Sequence, residues 1–362
     1  MKKILILGGY GYTGKLLAKH LLAQTDFEII ISGRNLEKAQ AFAAKMDDPR
    51  LKALRVDAAD PNSLRPALQN VNLCLVAAPV TSLDPERVVR ACLEAKVDYL
   101  DVQYSTAKIA LLNSLAVEIK KRNLCFVTEA GYHPGLPSAL IRYAASKMDS
   151  VESAVTAGYL NMGGNLPYTE AVDELMEGFK DYQAQVFKNG AWTKPKSWDM
   201  RKFDFGPELG KRTCYSMFFE ELRDLPEMYP SLKNTGFYIS GSNFITDALI
   251  TPIVMIGLKL APKRGIRPLG KLMWWGMMNL SKPPYLVALK VEAKGKLNGE
   301  QVQVNARCGH EDGYELTAIP VVAFLIQYEK IRCPGLHLMG HLAEPHQLFK
   351  DMQSMGVKFI EE

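Results

Sequence analysis

The first 130 residues alternate between short apolar runs and stretches with helical spacing of apolar residues, and this alternation restricts the fold more than any other feature. The apolar runs are "KILILGG", "FEIIISG", "LKALRVD", "VNLCLVAAP", "DYLDV" and "LCFVTEAG". Helical patterns such as "TGKLLAKHLLAQ" and "NLEKAQAFAAKM" separate them. Short apolar strands joined by helices predict a parallel sheet that is covered on both faces. We therefore expect an α/β domain over residues 1–130, with a doubly wound sheet of six strands.

A second pattern follows residue 130 and predicts a second, α+β domain over residues 131–314. Strand-like runs occur here without regular helices between them, as in "RTCYSMFF", "TGFYISG", "YLVALKVEAKGKL" and "EQVQVNARCGHEDG". The last two flank Asn298-Gly299, a dipeptide that favours a tight antiparallel hairpin. This predicts a mixed or antiparallel sheet, with residues 184–212 irregular. The apolar helix "ELTAIPVVAFLIQYEK" is expected to bring residues 315–362 back to the first domain.

The turn "GGYGYTG" carries the strongest functional signal in the chain. It has the GxGxxG spacing, follows a predicted strand and opens a predicted helix, which is the context that this motif requires. Such glycines let the backbone turn sharply and approach a pyrophosphate, while the helix start offers free N–H groups. We therefore expect a Rossmann-type domain that binds a dinucleotide. The expected contacts come from the whole turn, namely Gly9, Tyr10, Gly11, Tyr12, Thr13 and Gly14.

The dinucleotide is expected to be NADP(H) rather than NAD(H). An NAD-binding domain has an acidic residue about 20 positions beyond the glycines, at the end of the second strand. This chain has Arg34 there, in "SGR". Arginine offers a planar fork of donors to a 2′-phosphate, and Ser32 can add a hydroxyl. The alternative is an exposed arginine at a helix start.

Two further strand ends are candidates for the cofactor crevice. Asp57 ends the third predicted strand, where it could contact the adenine edge. Ala77, Ala78 and Pro79 end the fourth, and their small side chains would let the nicotinamide half lie close.

Composition excludes several other classes of protein. The net charge of +5 in 362 residues is too mild for a nucleic-acid binder. The six cysteines are scattered without a CxxC pair, which favours neither a zinc site nor a disulfide framework. The first strand begins by Ile4 and leaves no room for a cleaved targeting peptide, so we expect a cytoplasmic location.

Several motifs together resemble the saccharopine dehydrogenase family, in its NADP-dependent, saccharopine reductase-like branch. They are "GGYGYTG" with "SGR", "VAAP", "YLDVQY", "EAGYHPGLPSAL", "DGYELTAIPVVAFL" and "GHLAEPHQLFKDMQSMGV", in this order over nearly the whole chain. The resemblance implies pyridine-nucleotide redox chemistry on a carbon–nitrogen bond. It further implies substrates that are amino-acid-derived secondary amines with several carboxylates, but it leaves the individual substrate open.

Carboxylate-rich substrates need cationic partners, and the second domain offers four candidates. Arg201 and Arg212 are the predicted substrate anchors, together with Lys202 and Lys211. The alternative is that the four form a solvated basic face.

Residues near the ends of the fifth and sixth strands are the candidates for proton transfer and substrate contact. Asp101, Gln103 and Tyr104 follow the fifth strand, and His133 lies in "GYHPG" after the sixth. A histidine that titrates near neutrality is a natural general acid for an imine. The alternative for His133 is that it only supports the following turn, and Asp101 is expected to hold backbone geometry rather than titrate. Gln103 is expected to contact the substrate.

Two other patterns suggest different chemistry. Tyr143 and Lys147 have the Tyr-x-x-x-Lys spacing of short-chain dehydrogenases, as do Tyr104 and Lys108. The preceding strand, however, offers only Thr128 in place of a catalytic serine. The histidine group His337, His341 and His346 lacks the acid of an HExxH motif and has Gly340 and Pro345 within it, so we predict no metal site.

The apolar stretch 248–280 supports a hypothesis of a different class. It is flanked by lysines and arginines and contains Trp274 and Trp275. It is too short to span a bilayer, but it is compatible with a membrane surface contact, a homodimer interface or a core segment. The alternative function is therefore a catalytically silent nucleotide-binding protein that acts as a membrane- or partner-binding module.

Overall fold

The computed structural model describes residues 2–163, 166–180, 183–196, 199–241 and 243–362. The chain forms two compact units. One comprises Met1–Gly131 with Thr317–Met355, and the other comprises Tyr132–Leu316 with Gly356–Glu362.

The strands and helices are numbered in chain order. The strands are β1 Lys3–Leu7, β2 Glu28–Gly33, β3 Leu51–Arg55, β4 Leu73–Val76, β5 Asp98–Asp101, β6 Cys125–Thr128, β7 Ser150–Asn161, β8 Val186–Lys188, β9 Ala191–Thr193, β10 Met200–Asp204, β11 Lys211–Met217, β12 Asn234–Ser240, β13 Leu286–Leu297, β14 Glu300–His310, β15 Gly335–Leu338 and β16 Lys358–Glu361. The α-helices are α1 Tyr12–Gln24, α2 Leu36–Met46, α3 Pro61–Leu68, α4 Pro85–Ala95, α5 Thr106–Lys121, α6 Leu136–Ala145, α7 Glu170–Lys180, α8 Leu225–Met228, α9 Thr251–Leu260, α10 Ile266–Asn279, α11 Gly313–Ile331, α12 Met339–Leu342 and α13 Pro345–Ser354. Glu220–Leu222 form a 3₁₀ turn, and Thr246–Ile250 form a π-helical turn that leads into α9.

The first unit contains a parallel sheet of seven strands in the order β15-β6-β5-β4-β1-β2-β3. Its central strands β1 and β4 are almost wholly buried, as their continuous apolar runs predict. The predicted α/β doubly wound fold is confirmed. The prediction of six strands was incomplete, because β15 adds a seventh beside β6. Its sequence "GLHL" is short and mostly half-buried, and it lacks the apolar run that marks the other strands.

The second unit is built on a mixed sheet in the order β10-β11-β12-β7-β13-β14-β16. The predicted hairpin between β13 and β14 is present, with positive φ angles of 52° at Asn298 and 84° at Gly299. The stretch 184–212, expected to be irregular, contains the three strands β8 to β10. All three are short, and β9 and β10 are mostly exposed, so they carry little apolar pattern. Residues 197 and 198 lie outside the described part of the chain. Strand β16 pairs with β14 on this sheet, whereas the sequence analysis placed residues 315–362 with the first domain.

Three helices of the second unit pack together beside its sheet. Met176 of α7 is buried in a cluster with Ile250, Val254 and Leu258, which line one side of the π turn and α9. Trp274 of α10 is also buried, and its indole N–H donates to the Leu166 carbonyl. The apolar stretch 248–280 thus forms two helices. No helix in the described ranges combines the length and the apolar character needed to cross a bilayer.

Candidate functional site

The glycines of the first turn are required by the packing of the turn itself. Gly8 has a φ of +80° and the Gly8 and Gly9 amides both donate to the Ser32 carbonyl. A Cβ on Gly9 would lie 2.7 Å from the Ile31 Cβ atom, and one on Gly14 would lie 2.3 Å from the Gly8 carbonyl oxygen. Side chains at these positions would therefore push the turn away from β2 and α1 away from the turn.

The start of helix α1 has no side-chain cap from its own N-cap residue. Its N-cap residue, Gly11, provides no side-chain acceptor, and the first turn of the helix contains no acidic residue. The first N–H groups of a helix have no intrahelical acceptor, and the helix dipole favours an anion there. The glycine turn therefore fits the pyrophosphate of a dinucleotide, as the sequence predicts.

Tyr10 and Ser32 have supporting positions that the sequence analysis did not foresee. The Ser32 side chain is fully buried and its Oγ donates to the Ile6 carbonyl at 3.0 Å. This hydroxyl therefore holds β2 against β1, and the expectation that it contacts a 2′-phosphate is not supported. The Tyr10 ring lies against Gly33, where a Cβ would be 2.5 Å from it, and its hydroxyl accepts from the Asn35 amide at 3.0 Å. Tyr10 thus fixes the turn that carries Arg34.

Arg34 is exposed directly after β2, at the strand end where the sequence predicts a phosphate contact. A second guanidinium accompanies it. Arg55 ends β3 opposite Gly33, and its Nε donates to the Arg34 carbonyl at 3.3 Å. Sequence reasoning missed Arg55, because only the pairing register of β2 and β3 shows that the two arginines are neighbours.

The other predicted cofactor contacts lie at neighbouring strand ends. Ala77 continues from β4 with its amide donating to the Leu7 carbonyl, and a Cβ on Gly8 would lie 2.8 Å from the Ala78 nitrogen. The absence of a side chain at Gly8 therefore lets the glycine turn approach the end of β4. Asp57 follows β3, and its Oδ1 accepts from the Ala59 amide at 3.0 Å. One of the two carboxylate oxygens of Asp57 thus stabilises the turn that follows β3.

A fully buried ion pair stands at the end of β5. The Asp101 and Lys108 side chains have no exposed surface, and Lys108 Nζ lies 2.5 Å from Asp101 Oδ1. Asp101 also accepts from the Thr128 hydroxyl and from the Gln103 amide. Lys108 donates in addition to the Gln103 carbonyl at 2.9 Å. The pair therefore fixes the backbone after β5, which is the role that the sequence analysis expected for Asp101.

This cluster orients Gln103, whose side chain has one free end. Its Nε2 donates to the Ala78 carbonyl at 2.7 Å, and Gln103 is only 1% exposed. Its Oε1 is buried and has no hydrogen-bond partner among the described residues. Tyr104, the next residue, is half-buried just before Ser105, which caps α5. The segment after β5 therefore presents an unused amide acceptor beside the end of β4.

His133 lies in the turn before α6, among aromatic rings. Its ring is stacked with Phe219 at a centroid distance of 5.9 Å and tilted against Tyr132 at 4.1 Å. The Nε2 atom is buried and has no hydrogen-bond partner in the described ranges. Burial lowers the pKa of His133 to about 4. This shift does not support the expectation of a histidine that titrates near neutrality.

A buried carboxyl group from a distant segment contacts the same turn, and sequence reasoning missed it. Glu221 accepts from the Gly135 amide at 2.8 Å and from the Ser138 amide at 3.0 Å, and it also accepts from the Ser138 hydroxyl. It thereby caps the start of α6. Burial raises the pKa of Glu221 to about 7, although these three hydrogen bonds oppose the shift. No local motif indicates this contact, because Glu221 lies more than 80 residues from the turn.

The predicted substrate anchors of the second unit have internal partners. Arg201 of β10 forms an ion pair with Glu292 at 2.6 Å. Arg212 of β11 donates from Nε to the Leu209 carbonyl at 2.8 Å, and its guanidinium lies over the Tyr159 ring. Both side chains therefore stabilise the sheet itself. To bind a substrate carboxylate, each guanidinium would have to share its present contacts with the substrate.

The Tyr143–Lys147 pair does not have the environment of a short-chain dehydrogenase site. The Tyr143 hydroxyl donates to Glu361 at 2.7 Å, and Lys147 lies 3.4 Å from the same carboxylate oxygen. Burial, and then Glu361, raise the pKa of Tyr143. A catalytic tyrosine of this class needs a lowered pKa, so the geometry argues against this alternative. In the described residues, no three His, Cys, Asp or Glu side chains are placed to hold a metal ion together.

Comparison with known proteins identifies relatives of the chain. Residues 4–129 match the saccharopine dehydrogenase NADP binding domain. Carboxyaminopropylagmatine dehydrogenase of Synechocystis is 24% identical over 251 residues, which cover 67% of this chain and 63% of that protein. Carboxynorspermidine synthase of Vibrio cholerae is 24% identical over 396 aligned positions, covering 96% of this chain and 94% of that protein.

A solved structure supports the fold over the whole length. Apo saccharopine dehydrogenase (L-Glu forming) of Saccharomyces cerevisiae superimposes with a TM-score of 0.70 at 14% identity, and each chain is covered completely. At this identity the likeness establishes a common fold. The aligned segment spans less than two thirds of the Synechocystis protein, so the activity of that relative does not transfer directly to this chain.

Proposed function

Since this chain is a saccharopine dehydrogenase-like protein whose residues 4–129 form an NADP-binding domain, we propose that it transfers hydride at a carbon–nitrogen bond. The proposed substrate is a secondary amine derived from an amino acid or a polyamine, and it carries at least one carboxylate. The names of the relatives support this class, because carboxyaminopropylagmatine and carboxynorspermidine are carboxylated polyamine derivatives. The observation that carries the proposal is the uncapped glycine turn beside Arg34 and Arg55.

The reaction in the synthetic direction begins with an amine and a carbonyl compound, which lose water to form an imine. NADPH supplies a hydride to the imine carbon, and a proton goes to the nitrogen. The products are the secondary amine and NADP⁺, and the oxidative direction reverses these steps.

Residues of the first unit would hold the cofactor. We assign the pyrophosphate to the turn Gly9–Gly14 and the 2′-phosphate to Arg34 with Arg55. The segment Ala77–Pro79 would lie along the nicotinamide half. Gln103, held by the Asp101–Lys108 pair, would offer its unused Oε1 to an N–H group of the ligand.

Three residues are candidates for proton transfer, namely His133, Asp101 and Tyr104. A neutral His133 with a buried, unpartnered Nε2 can accept a hydrogen bond from an N–H group of the ligand, but the lowered pKa makes it a weak base at pH 7. Asp101 is engaged with Lys108 and Thr128, so we assign it a positioning role. Tyr104 remains a candidate donor.

The test is NADPH oxidation by purified protein with paired substrates. Polyamines and amino acids are each combined with oxoacids or aldehydes, and products are identified by mass spectrometry. We expect NADPH consumption only when both partners are present, and a product whose mass equals their sum minus water plus two hydrogens. Reduction of a carbonyl compound alone would instead indicate a carbonyl reductase. NADPH binding without turnover of any pair would support a silent module.

A further inference from the structure

The helices α9 and α10 expose an unusually large apolar surface. Phe244, just before the π turn, is 78% exposed, and the outer side of the π turn and α9 carries Leu249 (57%), Ile253 (56%), Ile256 (60%) and Leu260 (82%). In α10, Leu272 is 37% exposed and Trp275 is 51% exposed. We call these seven residues the apolar face. Single exposed apolar side chains are ordinary, but a contiguous set marks an interaction site.

The apolar face is not needed for the packing of the helices. Ile250, Val254 and Leu258 recur every four residues along one side of the π turn and α9, and this inner stripe is buried against Met176. Leu249, Ile253 and Ile256 point away from that stripe. The chain therefore places apolar residues on both sides of this helical segment, although one side is sufficient for a surface helix.

The charges within the segment that carries the apolar face have a single sign. Residues 248–291 contain no aspartate or glutamate. Six exposed cationic side chains surround the face, namely Lys259, Lys263, Arg264, Arg267, Lys271 and Lys282. Because no acidic residue of this segment offsets them, these six positive charges exceed the net charge of +5 of the whole chain. The net positive charge of the protein is therefore concentrated in this segment.

This charge pattern decides among the possible occupants. An isologous homodimer through the apolar face would bring two sets of six cations together, and like charges across an interface are unfavourable. An anionic bilayer surface satisfies both properties, because apolar side chains enter the headgroup boundary while nearby Lys and Arg side chains are attracted to the anionic headgroups. Tryptophan also favours this boundary. We infer that α9 and α10 dock the protein peripherally on an anionic bilayer through the apolar face.

The experiment is flotation of the full-length protein with vesicles. Vesicles of phosphatidylcholine alone are compared with vesicles of three parts phosphatidylcholine and one part phosphatidylglycerol. We expect co-flotation only with the anionic vesicles and its loss at high salt. Ile256→Glu with Leu260→Glu should reduce the bound fraction at least tenfold, and Val117→Glu, at a site 83% exposed in α5, should not.

A second pair of variants tests the charges. Lys263→Glu with Arg264→Glu should abolish flotation, whereas the matched pair Lys120→Glu with Lys121→Glu in α5 should leave it intact. The fluorescence of the wild type should shift to the blue with anionic vesicles, and this shift should shrink in Trp275→Phe. NADPH affinity, measured on every variant, should stay unchanged, so failure of docking is distinct from failure of the proposed function.

Two results would overturn the inference. One is absence of co-flotation, or co-flotation that the apolar and charge variants do not change. The other is a concentration-dependent dimer in sedimentation that Ile256→Glu dissociates, without vesicle binding by the wild type. The second result would identify the apolar face as an interface between two copies of this chain.

Discussion

Two glycine-rich turns of this chain lead into helices, and they differ in whether a side chain of the protein caps the start of the helix. The first, before α1, has no side-chain cap from its N-cap residue and no acidic residue in the first helical turn. The second, before α6, also has a glycine N-cap, Gly135, but the carboxylate of Glu221 caps it from a distant segment. Both helix starts favour an anion. One of them is capped by a carboxyl group of the protein, whereas the other is open to an external anion.

The difference shows that a glycine turn before a helix is not sufficient evidence for a ligand. What separates the two turns is a carboxylate more than 80 residues away in sequence. The charges near the two turns also differ. Arg34 and Arg55 lie beside the turn before α1 (the open turn), whereas His133 and its aromatic neighbours lie in the turn before α6 (the closed turn). The open turn is suited to phosphate, and the closed turn is suited to holding a neutral histidine in place.

The largest expected effect comes from closing the open turn with a methyl group. In Gly14→Ala the Cβ would lie 2.3 Å from the Gly8 carbonyl oxygen and 2.7 Å from the Gly9 Cα atom, so only the backbone can yield. We expect a loss of about 3 kcal/mol in the free energy of unfolding and no detectable NADPH binding. Gly11→Ala is the control for stability, because its Cβ would lie 3.2 Å from the nearest atom. Wild-type stability and affinity in Gly14→Ala would contradict the assigned packing.

The second prediction concerns the closed turn and pH. Because the pKa of Glu221 is raised from 4.5 to about 7, the folded state keeps this proton where the unfolded state has lost it. The stability contribution of Glu221 therefore falls as pH rises from 4.5 to 7 and is constant above. Relative to Glu221→Gln, the wild type should lose at most about 3 kcal/mol across this window. Urea denaturation of both proteins at several pH values measures the difference, and a difference that rises with pH would contradict the assignment.

The third prediction tests whether Arg34 selects the cofactor. Removing a charged hydrogen bond to phosphate costs about 1.5–3 kcal/mol, so Arg34→Ala should weaken NADPH binding roughly ten- to hundredfold and leave NADH binding unchanged. Fluorescence titration with both nucleotides measures the two affinities. Arg65→Ala removes a cation of similar exposure from α3 and should change neither. Equal losses for both nucleotides would assign Arg34 to a part of the cofactor other than the 2′-phosphate.

The smallest effect is expected at Arg55. Since its Nε is held by the Arg34 carbonyl, Arg55 supports the neighbouring turn as well as adding charge. Arg55→Ala should therefore weaken NADPH binding by about 0.5–1.5 kcal/mol, and the loss in the double variant with Arg34→Ala should be smaller than the sum of the single losses. Strict additivity would show that the two arginines act independently.

Local sequence patterns were sufficient for the first sheet and for the open turn. The strands β1, β2 and β4 to β6 carry apolar runs because both faces of a parallel sheet are buried, and the glycine spacing marks the turn directly. Arg34 was found by its distance from the glycines. The strand β15 was missed because an edge strand of four residues needs little apolar sequence.

The missed site residues depend on contacts between distant segments. Arg55 becomes a neighbour of Arg34 only through the register of β2 and β3. Lys108 was considered only as part of a Tyr-x-x-x-Lys spacing, although its ion pair with Asp101 is buried at the end of β5. The lowered pKa of His133 results from burial, which a sequence pattern around one residue does not reveal.

The position of β15 has a consequence for synthesis of the chain. Strand β6 is finished at Thr128, but its partner begins at Gly335, roughly 200 residues later. At about 5–20 residues per second, β6 remains an open edge for on the order of 10–40 s while the ribosome completes the second unit. An open edge is a template for pairing with other chains. The nascent protein therefore carries an aggregation hazard that the finished sheet no longer shows at β6, and a chain truncated before residue 335 would retain it permanently.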